Sequence, residues 1–522
     1  MLPRHRRRGG RVAAQGAHGA PRPRGARGVS RAPASAPRAR GALALGAQGR
    51  ALHDPLRAPR APRGERGAGA RERPRRGAPR RAAPRLRRRG RGARPPGRRR
   101  AQAAAARGLL PPRERVDARR VGLPPDGTAG GDVGSDAAVT GRSLRRQPPA
   151  GAPLRLDALL AVGRTRDPAR VLVEGLRARL DERPVALYAS GREALRVALA
   201  RLARERAREE VLVPGYTCWS VPAAAVAAGL RVRVVDVTPF GQLDLDALRA
   251  APLERAAALV LANLFGFAEP LAELAPILEG AGVALVDDAA QALGARSAEG
   301  PAGARGALGV LSFGRGKPLS GLGGGALVGS AGDGPPPAPP RRAGALARAL
   351  AYDVALAPSV FRWLAEIPGL HVGETIFDPS FRRGPIDGAS VCLAAAALAG
   401  FDDAARARGA RALALARRIE SETRFAPLRP RGEATGVYPR LALLAPTAAA
   451  RAAALAALRA WGATAQYPAA LDGVTGLRPH LAGPPHCPGA RSLAERILTL
   501  PTHGGLHGQG VLRVLATLRS CA

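Results

Sequence analysis

From about residue 152 onward, short apolar runs alternate with helical stretches, and that alternation restricts the fold more tightly than any other feature of the chain. VALY leads through a Ser-Gly turn into REALRVALARLARER, whose Leu195, Leu199 and Leu202 share one helical face. VLVPGY reads as a buried strand, VPAAAVAAGL as a small-residue helix, and RVRVVDV as another strand. LDLDALRAA opens a helix, then ALVLANLFG, VALVDDA and GVLSFG read as strands, with helical LAELAPILEGAG between the first two. Strands separated by helices at this spacing predict an α/β fold with a mostly parallel central sheet flanked by helices. In such a sheet the reactive side chains belong on the loops at the carboxyl ends of the strands.

Composition divides the 522 residues further. AGDGPPPAPP, residues 331–340, breaks the pattern, and Ala-rich helical sequence follows, notably over 389–421. The reading is a large α/β domain over 151–330, a variable connecting segment over 331–385, and a small C-terminal α+β domain over 386–522. Residues 1–150 hold 39 arginines against 8 acidic residues and show no sustained apolar period, so this segment is expected to be disordered. A polybasic arm for nucleic acid, a targeting peptide and a gene start assigned too early all compete to explain it. The misassigned start is favoured, because GC-rich DNA yields Arg, Ala, Pro and Gly in any frame. Met1 is the only methionine, so a later start would use a codon now read as another residue, such as Val. Cys218, Cys392, Cys487 and Cys521 are scattered without a CxxC pair, which indicates neither a disulfide framework nor a metal site. No run of 18 apolar residues occurs, so a cytoplasmic protein without a membrane partner is expected. Nucleic acid is a partner only if the basic segment belongs to the protein.

Lys317, in LSFGRGKPLSGLGGGAL, is the only lysine among 82 basic residues. It can be an accident of composition. An ε-amine can also lose its proton and condense with an aldehyde, which a guanidinium cannot do. Ser312 lies five residues earlier, just past a strand, and offers a hydroxyl for phosphate. Ser190 and Gly191 stand at a helix start whose free amides and dipole suit a phosphate, although Ser-Gly is also an ordinary N-cap. Asp288 ends a buried strand, with Gln291 three residues on. A carboxylate there can hold a pyridine nitrogen protonated, or simply cap a helix. The glycines at 321 and 323–325 would let backbone approach a ring closely. A phosphate-cradling GxxxxGK[ST] loop fails, because Pro318 follows the lysine.

In chain order, SGREAL, VLVPGYTCWSVPAAAVAAGLRVRVVDV, NLFG, VDDAAQALGA, LSFGRGKPLSGLGGGAL and LAERILTLPTH resemble the nucleotide-sugar aminotransferases of the DegT/StrS family. The resemblance runs from about 180 to 520, with a poorer match over 331–385. It implies a fold type I transferase using pyridoxal 5'-phosphate, homodimeric with active sites at the subunit interface, and a place in polysaccharide biosynthesis. By the same resemblance Lys317 would hold the cofactor's aldehyde and shuttle protons, Asp288 would pair with the pyridine nitrogen, and Gln291 would contact the ring's phenolic oxygen. Ser190, Ser312 and the amides around Gly191 would hold the phosphate. Cys218 stands where an aromatic usually stacks on the ring, and the neighbouring Trp219 can take that part. His503, in LPTH, is read as structural.

The chain departs from the family at several of these positions. Arg192 replaces a threonine and offers a charged substitute for a phosphate contact. Asn263, the only asparagine, stands where histidine is common. Pro318, Leu319, Ser320 and Gly323 replace Asn-Leu-Thr and a glutamate. Arg382 and Arg383, in FRRGPIDG, lie roughly where a partner-subunit asparagine loop would reach the phosphate. The function implied is transfer of an amino group, from glutamate, to a nucleotide-linked keto sugar. A related enzyme acting on a non-sugar ketone, and a non-catalytic regulator of the same fold, are the alternatives.

Overall fold

The computed structural model describes residues 145–151, 156–330, 334–367 and 375–521. The Arg-rich tract up to residue 144 lies outside the described residues. Residues 145–150, assigned to that tract on sequence, are packed instead. Arg146 N donates to Pro358 O at 2.9 Å and Gln147 N to Ala460 O at 2.8 Å, so the backbone finds partners that composition does not reveal.

Among the described residues, twelve strands occur in chain order: β1 (Val185–Tyr188), β2 (Glu210–Pro214), β3 (Arg231–Val235), β4 (Ala256–Ala262), β5 (Ala284–Asp288), β6 (Arg296–Ser297), β7 (Gly300–Pro301), β8 (Leu308–Ser312), β9 (Gly325–Val328), β10 (Ala426–Pro427), β11 (Arg440–Leu444) and β12 (Ile497–Pro501). Seven form the central sheet in the order β1-β9-β8-β5-β4-β2-β3. β9 runs antiparallel to both neighbours, and the remaining pairings are parallel. The period of two sorts side chains to opposite faces. Val211, Val213 and Val260 join helices Gly191–Arg206 and Ser220–Ala227 on one side, while Leu212, Leu259 and Leu261 pack with Leu248 and Leu278 on the other. The mostly parallel α/β architecture expected from the sequence is the one found.

Beyond the proline-rich break, helices Arg342–Leu356 and Pro358–Leu364 precede a buried helix, Gly388–Leu398. Assigned to the small domain on sequence, that helix packs Val391, Ala394, Ala395 and Leu398 against Leu172, Leu176 and Leu187 of the large layer. The three-stranded antiparallel sheet β10-β11-β12 forms a separate core with helices Phe401–Glu422, Ala448–Leu458 and Gln509–Ser520. Among the described residues no single helix is long and apolar enough to cross a membrane. Gly388–Leu398 and Phe401–Glu422 pass that test only together, as a pair bent by 68°.

Candidate active site

The loops leaving β1, β2, β5 and β8 converge at the carboxyl edge of the sheet on a cavity of about 510 Å³. Ser190, Gly191, Arg192, Cys218, Asp288, Gln291, Ser312 and Lys317 all line it, although they are spread over 128 positions of sequence. Register explains the gathering: Ala262 on β4 pairs with Asp288 on β5, and Asp288 pairs with Val310 on β8. Adjacent parallel strands therefore deliver Asp288 and Ser312 to the same edge, and the loop after β8 brings Lys317.

That loop is closed by its own backbone. The carbonyl of Phe313, a fully buried residue, accepts from Gly321 N at 2.8 Å and Gly323 N at 3.2 Å. Lys317 N donates to Gly314 O at 3.2 Å, which makes a tight turn just before the amine. Gly323 and Gly324 line the cavity as expected. Gly321 and Gly325 serve packing instead. A Cβ at 321 would lie 2.8 Å from Ser390 O on helix Gly388–Leu398, and one at 325 only 2.2 Å from Gly191 N. Gly325 stands between Tyr188 on β1 and Ser312 on β8, so its lack of a side chain draws those two strand ends together.

Ser190 caps helix Gly191–Arg206, its Oγ accepting from Glu193 N at 3.1 Å. The first amides of the helix border the cavity, where the positive end of the dipole favours an anion. Arg192 borders it too, but its guanidinium lies 5.1 Å from the Phe381 ring centroid and donates to Asp378 O at 3.3 Å. The segment that carries FRRGPIDG is thus held against this chain's own helix start, with Ala189 N donating to Gly384 O at 2.8 Å, while Arg382 and Arg383 are exposed.

Asp288 is buried at the cavity floor, and its Oδ1 accepts from Ala290 N at 2.9 Å. Burial lifts the carboxyl's pKa, an effect that the Ala290 amide and the Lys317 charge oppose and the charge of Asp287 reinforces. Gln291 Nε2 donates to the Tyr467 hydroxyl at 2.6 Å. Tyr467, on irregular chain between β11 and β12, packs on Tyr216 with ring centroids 5.5 Å apart. Burial holds its phenol well above the ordinary value, so it remains a neutral hydrogen-bonding group. Arg440, at the start of β11, completes this wall, and burial pulls its guanidinium down to about 9.

Two expected contacts fall elsewhere. Asn263 does not line the cavity. It is fully buried one layer behind, donating to Asp287 Oδ1 at 2.7 Å and to the Asp288 carbonyl at 3.0 Å. Trp219 likewise does not line it and packs against the core beside helix Ser220–Ala227, whereas Cys218 does and accepts from Ser220 Oγ at 3.0 Å. His503 is buried against residues 145–150. Its Nδ1 accepts from Gly505 N at 3.1 Å, which leaves Nε2 to donate to Pro148 O at 2.8 Å. Tyr467, Arg440 and Arg305, the buried cation that pairs with Asp287, were missed on sequence. An arginine opening the apolar run RLALL and a second acid on a buried strand were the available signals, because each buried charge needs a partner.

Residues 170–333 match the DegT/DnrJ/EryC1/StrS aminotransferase family. The L-glutamine:2-deoxy-scyllo-inosose aminotransferase of Micromonospora echinospora is 39% identical over 128 residues, which are 24% of this chain and 30% of that protein. UDP-N-acetyl-3-dehydro-alpha-D-glucosamine 3-aminotransferase of Acidithiobacillus ferrooxidans is 28% identical over 186 residues, 34% of this chain and 50% of that protein. The chain therefore spans half or less of the length of these relatives. Helicobacter pylori PseC, an aminotransferase of pseudoaminic acid biosynthesis, shares the fold with a TM-score of 0.57 at 16% identity, over 72% of this chain and 99% of that one. The family depends on pyridoxal phosphate. The residues present fit that group: an amine, a buried carboxylate, a hydroxyl and a helix start face one cavity, which Arg192, Arg315 and Arg440 also line. With its motifs at the strand ends where such a site requires them, the segment over residues 170–333 is similar to the DegT/DnrJ/EryC1/StrS aminotransferase family.

Proposed function

We propose that the protein is a pyridoxal-phosphate-dependent aminotransferase that moves an amino group from glutamate to a nucleotide-linked keto sugar, working in the cytoplasm as a homodimer. The observation that carries this reading is the placement of the only lysine, Lys317, in one cavity with Asp288, from loops after the neighbouring strands β8 and β5. The bound cofactor supplies an aldehyde that accepts the amino group and a ring that accepts electrons.

The chain's own groups do the rest. Lys317 Nζ holds the aldehyde and moves a proton at the substrate carbon that carries the amine. Asp288 keeps a proton on the ring nitrogen through an ionic hydrogen bond. Gln291, fixed by Tyr467, orients the ring at its phenolic oxygen. Ser312 and the amides at Gly191 and Arg192 bind the phosphate, with Ser190 stabilising the helix start that presents them. Asn263 orients the end of β5 from behind, and Cys218 packs beside the ring while Trp219 supports its loop.

A second acceptor, an unlinked polyhydroxylated cyclic ketone with glutamine as donor, is favoured by the match to the inosose aminotransferase. The full-length protein is to be incubated with pyridoxal phosphate beside Lys317→Arg, reduced with borohydride and peptide-mapped. A near-visible band that is absent from the variant and trapped on Lys317 is expected. A folded wild-type protein without that band overturns the enzymatic reading in favour of a regulator. Glutamate and glutamine, each paired with nucleotide-linked and unlinked ketones, then separate the two acceptors.

A further inference from the structure

β5 ends in two consecutive carboxylates, and alternation sends them to opposite faces of the sheet. Asp288 faces the cavity, whereas Asp287 is completely buried on the other side. Arg305, from the loop between β7 and β8, meets Asp287 there. Its Nε donates to Oδ2 at 3.0 Å and its Nη2 to Oδ1 at 2.8 Å. The two side chains are 1% and 0% exposed, so water does not screen the pair.

The network around them is saturated. Asp287 also accepts from Asn263 Nδ2 at 2.7 Å, Gly303 N at 2.7 Å and Arg305 N at 3.2 Å. The guanidinium spends its other hydrogens on Asn263 Oδ1 at 2.8 Å, Glu269 O at 2.6 Å and Ser297 Oγ at 2.8 Å. None of these groups lines the cavity. Resting on the function proposed above, we propose that Arg305 is a positioning residue: it offsets the charge of Asp287 so that Asp288 can face the cofactor ring as a carboxylate, with Asn263 holding both in register.

The physical reason is the distance between the acids. An uncompensated anion one residue away raises the proton affinity of Asp288, and a protonated Asp288 cannot hold a proton on a ring nitrogen. The charged groups facing Asp288 are Lys317 from the loop after β8 and Asp287 from its own strand, with the neutral phenol of Tyr467 approaching from the small domain. Of these, Asp287 is the one whose charge is countered behind the cavity by a paired guanidinium. Asn263 adds geometry, because its amide spans the Asp287 side chain and the Asp288 carbonyl.

The test titrates the full-length protein, stripped of cofactor, with pyridoxal phosphate and reads the dissociation constant by absorbance, beside thermal melting without cofactor. Arg305→Met is expected to bind about tenfold more weakly or worse, the equivalent of one unit in the proton affinity of Asp288. Arg305→Lys, which keeps the charge, recovers most of the affinity. The double variant Asp287→Asn/Arg305→Met removes both charges and is expected to bind within about threefold of wild type, where one unit is tenfold. Should Arg305→Met fail to fold, the double variant still decides. A folded double variant more than about tenfold weaker than wild type overturns the assignment, as does an Arg305→Met protein with unchanged affinity. A folded wild-type chain that binds no cofactor overturns the proposed function, and this assignment falls with it.

Discussion

The cavity has two walls of different character. One is the carboxyl edge of the parallel sheet, where Ser190, Asp288 and Ser312 stand at or one or two residues beyond the ends of fully or largely buried strands. The other is the small-domain side, where Arg440 opens β11 and Thr464, Gln466 and Tyr467 sit on irregular chain. Groups on the first wall inherit their positions from a hydrogen-bonded ladder. Those on the second are set by side-chain packing of later chain on the loop after β2, through contacts such as Tyr216 against Tyr467. The groups proposed to react are on the ladder-held wall, and those proposed to orient the ring are on the other.

Substitutions should reproduce that division, with the largest losses on the sheet edge. Lys317→Arg keeps a positive charge yet removes the amine, and transamination should fall by about 10⁴-fold or more, the scale seen when a nucleophile is lost. Steady-state assays with glutamate and the accepted ketone measure it. Asp288→Asn, which preserves shape, should reduce turnover by on the order of 10²-fold, as expected when a fixed charge that stabilises a reacting centre is removed. If either variant turned over at the wild-type rate, the sheet edge would not be the reacting wall.

On the opposite wall the effects are smaller. Tyr467→Phe removes only the hydroxyl that accepts from Gln291, and a net hydrogen bond of about 0.5–1.5 kcal/mol predicts cofactor affinity weakened between about twofold and tenfold. A titration of the folded variant checks it. A loss as large as that of Asp288→Asn would erase the distinction between the walls.

The same division explains what could be read without coordinates. Strand ends are legible because a buried strand is a mostly apolar run and its last residue is conspicuous, as Asp288 is after VALVD. Asp288 and Ser312 were read that way, whereas Arg192 and Cys218 came from the motif resemblance alone. Gly325 was read as clearance for a ring, yet its neighbour is Gly191, since a close approach between two backbones leaves no mark beyond the glycine itself. Asn263 was assigned to the cofactor because it stands where histidine is common in the family, and a place in a motif does not say which way the side chain points. Tyr467 and Arg305 were invisible because each partner lies on another element: Gln291 is 176 positions from Tyr467, and the carboxylate that requires Arg305 faces away from the cavity.

The smallest expected effect tests how the second wall is braced. His503 follows β12 and ties residues 145–150 to the small domain through Pro148, and burial lowers its pKa, with the charges of Arg440 and Arg411 adding to the shift. A histidine whose folded value lies below its unfolded value resists a proton that the unfolded chain accepts. Its contribution is therefore fully present above the unfolded value near 6.5 and is lost as pH falls from there through the folded value. Glu269 tilts stability the other way. Burial lifts it to about 7, so the folded chain binds the extra proton and stability declines as pH rises from 4.5 toward 7. The informative quantity is thus the difference between wild type and His503→Gln, in which Glu269 cancels. Thermal melting at pH 7.5 and 5.5 should show wild type losing more on acidification than the variant. Equal losses would mean that the brace at Pro148 does not depend on a neutral imidazole, and that the small-domain wall is held by its apolar packing alone.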